Sequence, residues 1–225
     1  MDFYYIVLVV PTLILSLIAQ IMVKSTFSKY SRVQSERRIS GKDAAELLLQ
    51  VNNIKDVKIE GVRGELTDHY DPSSKVLRLS EPVYSQTSIA AIGVAAHETG
   101  HAIQHAVSYG PLGLRSFLVP AANIGSSFGP WLAIIGLFFS FPVLFNIGII
   151  LFSAAVLFYV VTLPVEFNAS NRAIKILRSN AVLSEEELGG VKKVLTAAAL
   201  TYVASALTAI MNLLRLILLS RSRRR

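Results

Sequence analysis

The motif His-Glu-x-x-His, at His97, Glu98 and His101, combines residue types and a spacing that suit metal chemistry. It lies in an apolar run, residues 89–103, that predicts a buried helix. Residues four apart share one helix face, so both imidazoles can point at one metal ion. Glu98 can then act as general base toward a water that the metal acidifies. The alternative is two packed core histidines with a capping glutamate, but the buried helix favours the metal site.

A third protein ligand is expected, because catalytic zinc sites use about three protein ligands and keep one position open. The chain has no cysteine, so every ligand must be His, Glu or Asp. Glu166 is the only acidic residue between Glu98 and Glu185, which makes it the candidate. The alternative is an interfacial carboxylate paired with Arg172. The sequence thus predicts one Zn²⁺ per chain, with His97, His101 and Glu166 as ligands and Glu98 as the catalytic base.

The two other histidines are not predicted to bind the metal. His105 follows His101 by four residues, but it stands eight residues, a rise of ~12 Å, from His97. Zinc–nitrogen bonds are only about 2 Å long, so the three cannot share one ion on a helix. His105 is therefore predicted to orient the site or to lie at the surface. His69, near a turn, is predicted to be structural, with a role in the site as the alternative.

The elements that must position these residues are mostly apolar. Of the 225 residues, 52% are hydrophobic, and the mean hydropathy is +0.52, which indicates a membrane protein. We predict a mainly α-helical multipass membrane protein with a small α+β zincin-like, gluzincin-type catalytic region. Its segments are an N-terminal transmembrane helix (1–23), the first catalytic part with the metal helix (24–115), a transmembrane hairpin (116–164), a second catalytic part with the third ligand (165–193), and a hydrophobic helix with a basic tail (194–225).

Three short segments before the metal helix predict a small antiparallel sheet. They are residues 57–62, 64–70 and 75–80, with a turn at residues 71–74. The edge of such a sheet could bind a substrate backbone. A helix is expected to start at Ser40 and to pack on the catalytic core. The acidic run 185–187, followed by Gly189 and Gly190, predicts a solvated helix start and a loop.

The proposed ligands must meet on one side of the membrane, so an even number of spans must separate them. Two spans, at about 117–139 and 144–163 with a turn near residues 140–146, satisfy this condition. Basic residues near the spans predict that the site lies on the cytoplasmic side. The basic tail, Arg221 to Arg225, would then lie outside if the last helix crossed, so we expect a last helix that does not cross.

Three functions are compatible with these features. The first is a membrane-embedded zinc metalloendopeptidase that hydrolyses polypeptides. The second is a non-catalytic, zinc-stabilised membrane scaffold or adaptor, which would have no need of Glu98. The third is a transporter or channel, which the charge-free spans disfavour. Nucleic-acid binding is excluded as a main role, because the net charge of +7 comes from basic residues that flank apolar segments.

Three stretches resemble the bacterial neutral zinc metallopeptidases of the YugP type, which are membrane-bound proteases. They are SGKDAAELLL, LTDHYDPSSKVLRLSEPVYSQTSIAAIGVAAHETGHAIQH and LPVEFNASNRAIKIL. The resemblance implies zinc-dependent endopeptidase activity with His97 and His101 as ligands and Glu98 as base. The more distantly similar HtpX-like gluzincins supply a third ligand in the pattern Glu-x-x-Ala-Asp. Glu166 and Ala169 match that pattern, whereas Ser170 replaces the aspartate. Asn168 and Ser170 are candidates for orienting the ligands.

Overall fold

The computed structural model describes residues 2–223. Its helices are α1 (Val10–Tyr30, preceded by a π-helical turn, Tyr5–Val9), α2 (Gly41–Val51), α3 (Glu81–Tyr84), α4 (Ile89–Ala106), α5 (Gly110–Phe138), α6 (Pro142–Ser179) and α7 (Glu185–Arg223). Its strands are β1 (Lys58–Val62), β2 (His69–Asp71) and β3 (Val76–Ser80). Four of the helical segments are long and apolar enough to cross a membrane: Tyr5–Tyr30, Gly110–Phe138, Pro142–Ser179 and Glu185–Ser222. The chain is thus a mainly helical membrane protein with a small α+β region, as predicted.

The chain forms two compact units. The first, called the membrane unit, comprises Met1–Gln20, Gly110–Pro164 and Leu200–Arg225. The second, called the sheet unit, comprises Ile21–Tyr109 and Val165–Ala199. Helices α1, α6 and α7 contribute residues to both units. The sheet unit contains the whole sheet and the metal motif.

Within the membrane unit, α5 and α6 form an antiparallel hairpin held by close backbone contact. Gly125 lies against the backbone of Leu151, and Gly136 lies against that of Phe145. The two predicted segments are helices joined by a short turn, but their bounds differ from those predicted. The helices turn at residues 139–141, and α6 continues through Pro164 to Ser179. Hydropathy marks where the apolar run ends, and a helix can continue beyond that point.

The same unit shows that α7 runs antiparallel to α1. Arg215 forms an ion pair with Asp2, with 2.7 Å between Nη2 and Oδ2, and Ser16 lies 3.4 Å from Thr208 between hydroxyl oxygens. Residue numbers therefore rise along α1 as they fall along α7. Helix α7 is one unbroken helix of 39 residues and is long and apolar enough to cross, and a last helix that does not cross stays a prediction.

The sheet of the sheet unit is mixed and has the strand order β1-β3-β2. Strand β2 pairs antiparallel with β3 after a turn in which Asp71 accepts hydrogen bonds from Ser73 and Ser74. Strand β1 pairs parallel with β3, so the predicted all-antiparallel sheet is wrong. Alternating apolar residues predict which face of a strand is buried, but they do not fix the direction of its neighbour.

Helix α2 begins as predicted. The Ser40 hydroxyl accepts from the Asp43 N–H, and the Asp43 carboxylate accepts from the Ser40 N–H, which completes a capping box. Its buried face packs on α4 through Ala44, Leu48 and Ile92.

The acidic start of α7 differs from the prediction of a solvated start and a loop. The helix continues through Gly189 and Gly190. Glu187 is buried and accepts hydrogen bonds from the backbone N–H groups of Glu36 and Ser184. Gly190 lies against the ring of Tyr30, so the close approach of that aromatic ring, and not a loop, accounts for this glycine.

Candidate metal centre

Helix α4 presents the two motif histidines side by side. Ser88 caps its start by accepting a hydrogen bond from the Ala91 N–H, at 3.2 Å. His97 and His101, one helical turn apart, have ring centroids 4.8 Å apart. His101 is buried and His97 is half-buried. Both imidazole rings are therefore close enough together to bind one metal ion.

Glu166 of α6 faces both histidines. Its Oε2 lies 3.2 Å from the Nε2 of His97 and 3.5 Å from the Nε2 of His101. The carboxylate is buried, with 2% of the residue exposed. One ligand atom from each of the three residues lies within 4.8 Å of the others, a grouping that could hold a metal ion. Arg172 donates to Asn168 at 2.7 Å, so the alternative pairing of Arg172 with Glu166 is not the one observed.

Gly100 explains how α6 comes close to α4. A Cβ added at Gly100 would lie 2.6 Å from the carbonyl oxygen of Ala169, which is closer than side-chain atoms approach a backbone oxygen. Ala169 is itself fully buried. Gly100 lies between His97 and His101 in α4, and Ala169 lies one helical turn after Glu166 in α6. A glycine inside a helix costs about 1 kcal/mol relative to alanine, and here it permits the two elements that carry the site to touch.

Hydrogen bonds orient both rings. The Nδ1 of His97 lies 3.1 Å from the Ser170 hydroxyl, and the Nδ1 of His101 lies 3.0 Å from Gln104 Oε1. Because an amide oxygen only accepts, His101 donates from Nδ1 and keeps a lone pair on Nε2. Such contacts fix the tautomer that binds a metal. Ser170 thus retains, with a hydroxyl, the contact that an aspartate would make.

Gln104 was missed by the sequence reasoning. It is fully buried, and its amide nitrogen donates to the Val165 carbonyl at 2.8 Å and to Asn168 at 3.0 Å. Asn168, a predicted orienting residue, therefore bonds to Gln104 and not to a histidine. An amide in an apolar helix, three residues after His101, was the available signal.

Glu98 lies between the metal group and the sheet edge. Its Oε2 accepts a hydrogen bond from the Tyr70 N–H at 3.1 Å, and the residue is half-buried. Asp68, two residues earlier on the same edge, accepts from the Ser80 N–H at 2.7 Å. Burial raises the pKa of Asp68, and the charge of Glu98 raises it further. The start of β2 is therefore tied both to β3 and to the motif glutamate.

The remaining histidines lie outside the metal group, as predicted. His105 Nδ1 lies 2.7 Å from the Tyr70 hydroxyl, and burial raises the pKa of Tyr70 to about 12. The phenol therefore keeps its proton, and a hydrogen bond joins the phenol to the imidazole. The Nδ1 of His69 lies 2.8 Å from the Thr67 carbonyl in an exposed position, which suits a structural role.

The electrostatics of the group favour a bound cation. Burial opposes a charge on His101, but the hydrogen bond to Glu166 and the charge of Glu98 outweigh it and raise the pKa of His101. Two imidazoles around a buried carboxylate form a donor set that suits zinc.

Comparison with known proteins agrees with this chemistry. The sequence profile of the family described as "Putative neutral zinc metallopeptidase" matches residues 5–221. The chain is 50% identical over 215 residues to the "Putative membrane protease YugP" of Bacillus subtilis (strain 168), an alignment that covers 96% of each chain. No solved structure matches the chain. Because the profile spans nearly all of the sequence, the chain belongs to the neutral zinc metallopeptidase family.

Proposed function

We propose that this protein is a membrane-embedded zinc endopeptidase, with His97, His101 and Glu166 as ligands of one Zn²⁺ per chain. The observation that carries the proposal is the grouping of one ligand atom from each residue within 4.8 Å. The hydrogen bonds at both Nδ1 atoms support it, because they leave both Nε2 atoms available to a metal. Membership in a zinc metallopeptidase family supports the identity of the ion.

Glu98 is proposed as the general base. A zinc ion held by the three ligands would act as a Lewis acid, lowering the pKa of a water and polarising the scissile carbonyl. Glu98 follows His97 directly on α4 and is half-buried, so its carboxylate can contact a water at the metal group. It takes a proton from the attacking water and passes it to the leaving amine. A scaffold with a purely structural zinc would have no need of this carboxylate.

The substrate backbone is proposed to add to β2. This strand is at the edge of the sheet, since its one partner is β3. Tyr70 in β2 donates its N–H to Glu98, so the edge runs beside the base. An extended peptide paired with β2 would bring a peptide carbonyl to the metal group. Polypeptides in extended or unfolded form are therefore the expected substrates.

The active site is proposed to face the cytoplasm. The segments that connect the spans to the sheet unit along the chain are rich in basic residues. The hairpin turn at residues 139–141 has none, and basic residues mark the cytoplasmic side. Those basic residues are Lys24, Lys29, Arg32, Arg115, Arg172, Lys175 and Arg178. The basic tail, Arg221 to Arg225, contributes fewer positive charges than these segments.

Zinc content and proteolysis of casein, measured on the purified full-length protein, test this function. Glu98→Gln should keep its zinc and lose activity by several orders of magnitude, because it removes the base and spares the ligands. Glu166→Ala should lose both zinc and activity. Glu186→Ala, at an exposed glutamate outside the metal group, is the matched control and should retain both. Full activity in Glu98→Gln would refute the mechanism, and unchanged zinc in Glu166→Ala would refute the third ligand.

A further inference from the structure

A groove lined by uncharged polar side chains lies within the membrane unit. Its volume is about 350 Å³, and helices α1, α5, α6 and α7 form its walls. Its polar lining includes Ser16, Gln20, Ser126, Tyr159, Ser205 and Asn212. None of the residues that line it carries a charge. The metal group and the sheet lie in the other unit, so this groove is a separate feature.

Part of the lining lies near the middle of the candidate spans. Ser16 is near the middle of the span Tyr5–Tyr30, and Ser126 is near the middle of Gly110–Phe138. Polar groups at this depth find no water, and leaving them without partners is unfavourable. The absence of a charged lining residue also disfavours a lipid phosphate as the ligand, because phosphate binding uses Lys, Arg or a helix N-terminus.

Hydrogen-bonding capacity remains in the groove. The Ser16 and Ser205 hydroxyls donate to carbonyls of their own helices, each at 2.9 Å. By contrast, the Gln20 amide and the Tyr159 hydroxyl make no hydrogen bond to any residue from 2 to 223. An amide offers two donors and one acceptor, and a phenol offers one donor and one acceptor. The groove therefore offers several hydrogen bonds to a partner at the depth of the acyl chains.

We propose that the groove binds one transmembrane helix of another membrane protein, through a Ser, Thr, Asn or Gln side chain within the acyl-chain region that hydrogen-bonds to Gln20 and Tyr159. Polar side chains of this kind form the hydrogen bonds between helices in membranes. An acyl chain has no group that could do so. A second copy would present the same concave surface in a symmetric dimer, so its shape would not be complementary. The proposal does not depend on proteolysis.

Energy transfer from Trp131 tests the proposal. This residue is the chain's only tryptophan, is exposed, and follows Pro130, which lines the groove. The full-length protein is reconstituted in phosphatidylcholine vesicles with a dansyl-labelled polyleucine helix that carries one central Asn. We expect this peptide to bind about fivefold to tenfold more tightly than an all-leucine peptide, as interhelical hydrogen bonds in membranes allow. Gln20→Leu should abolish that difference.

Two neighbouring serines provide a matched control. Ser126 lines the groove and Ser127 does not, although both are exposed on α5. Ser126→Leu should fill part of the groove and weaken binding of the Asn peptide, whereas Ser127→Leu should leave it unchanged. Equal binding of the two peptides, or binding that Gln20→Leu does not alter, would overturn the proposal. Self-association of labelled protein that Gln20→Leu abolishes would overturn it in favour of a second copy.

Discussion

The side chain of Gln104 connects His101 to two residues of α6. Its oxygen accepts from His101 Nδ1, and its nitrogen donates to Val165 and Asn168. Removing it would leave a buried ring N–H unsatisfied and would free the imidazole to rotate. At the scale of single residues, the sequence predicts the residues of the metal motif, because a spacing of four on a helix places both histidines on one face. It does not predict Gln104, whose partners come from a helix some sixty residues away.

Gln104→Ala should therefore weaken zinc binding by about tenfold to a hundredfold, as changes to residues that orient metal ligands do. Gln104→Glu keeps an acceptor for His101 but loses the two N–H donors to Val165 and Asn168, so its zinc affinity should fall between those of Gln104→Ala and the unmodified protein. Competition with a chromophoric chelator measures both affinities. Melting of the metal-free variants serves as the control, since it reports the stability of the fold apart from the metal. Equal affinity of Gln104→Ala and the unmodified protein would contradict a positioning role.

At the scale of elements, the site depends on the approach of α6 to α4. The HExxH motif predicts a helix, and its glycine suggests a close neighbour, but only the structure shows that the neighbour is Ala169. Strand β3 was predicted by its alternation, whereas β2 is shorter than the predicted segment 64–70. The direction of β1 was not predicted, because pairing direction depends on contacts between distant segments. The predicted span 144–163 ends where hydropathy falls, but α6 continues without a break into its polar half.

Gly100→Ala tests the helix contact. The added methyl group would meet the backbone oxygen of Ala169, which cannot rotate away, so α6 must shift and carry Glu166 with it. We expect zinc affinity to fall by about tenfold or more, on the scale of ligand-orienting changes. Gly93→Ala is the control on the same helix, because its methyl group would meet only side-chain atoms of Val191, at 3.1 Å. If neither variant changed the zinc affinity, the contact at Gly100 would not set the position of Glu166.

At the scale of the whole molecule, an even number of spans between His101 and Glu166 was a requirement of the chemistry. The hairpin of α5 and α6 supplies two helices that can each cross the membrane. Charge alone does not predict whether the last helix crosses the membrane. The basic tail and the basic segments near the site both favour the cytoplasmic side, and a crossing helix would separate them. The ion pair of Arg215 with Asp2 shows the direction of α7 against α1, so the side on which α7 ends becomes a testable prediction.

This arrangement predicts where single cysteines will be accessible. The chain has no cysteine, so each introduced thiol is unique. Lys55 in the sheet unit, Ser140 at the hairpin turn and Ser222 near the end of α7 are all exposed. In intact cells, a thiol reagent that does not cross membranes should label Ser140→Cys and Ser222→Cys, whereas Lys55→Cys should react only after lysis. Labelling of Lys55→Cys alone would show that the orientation is the opposite of the proposed one. Protection of Ser222→Cys together with labelling of Ser140→Cys would show that α7 does not cross, because the two positions would then lie on opposite sides.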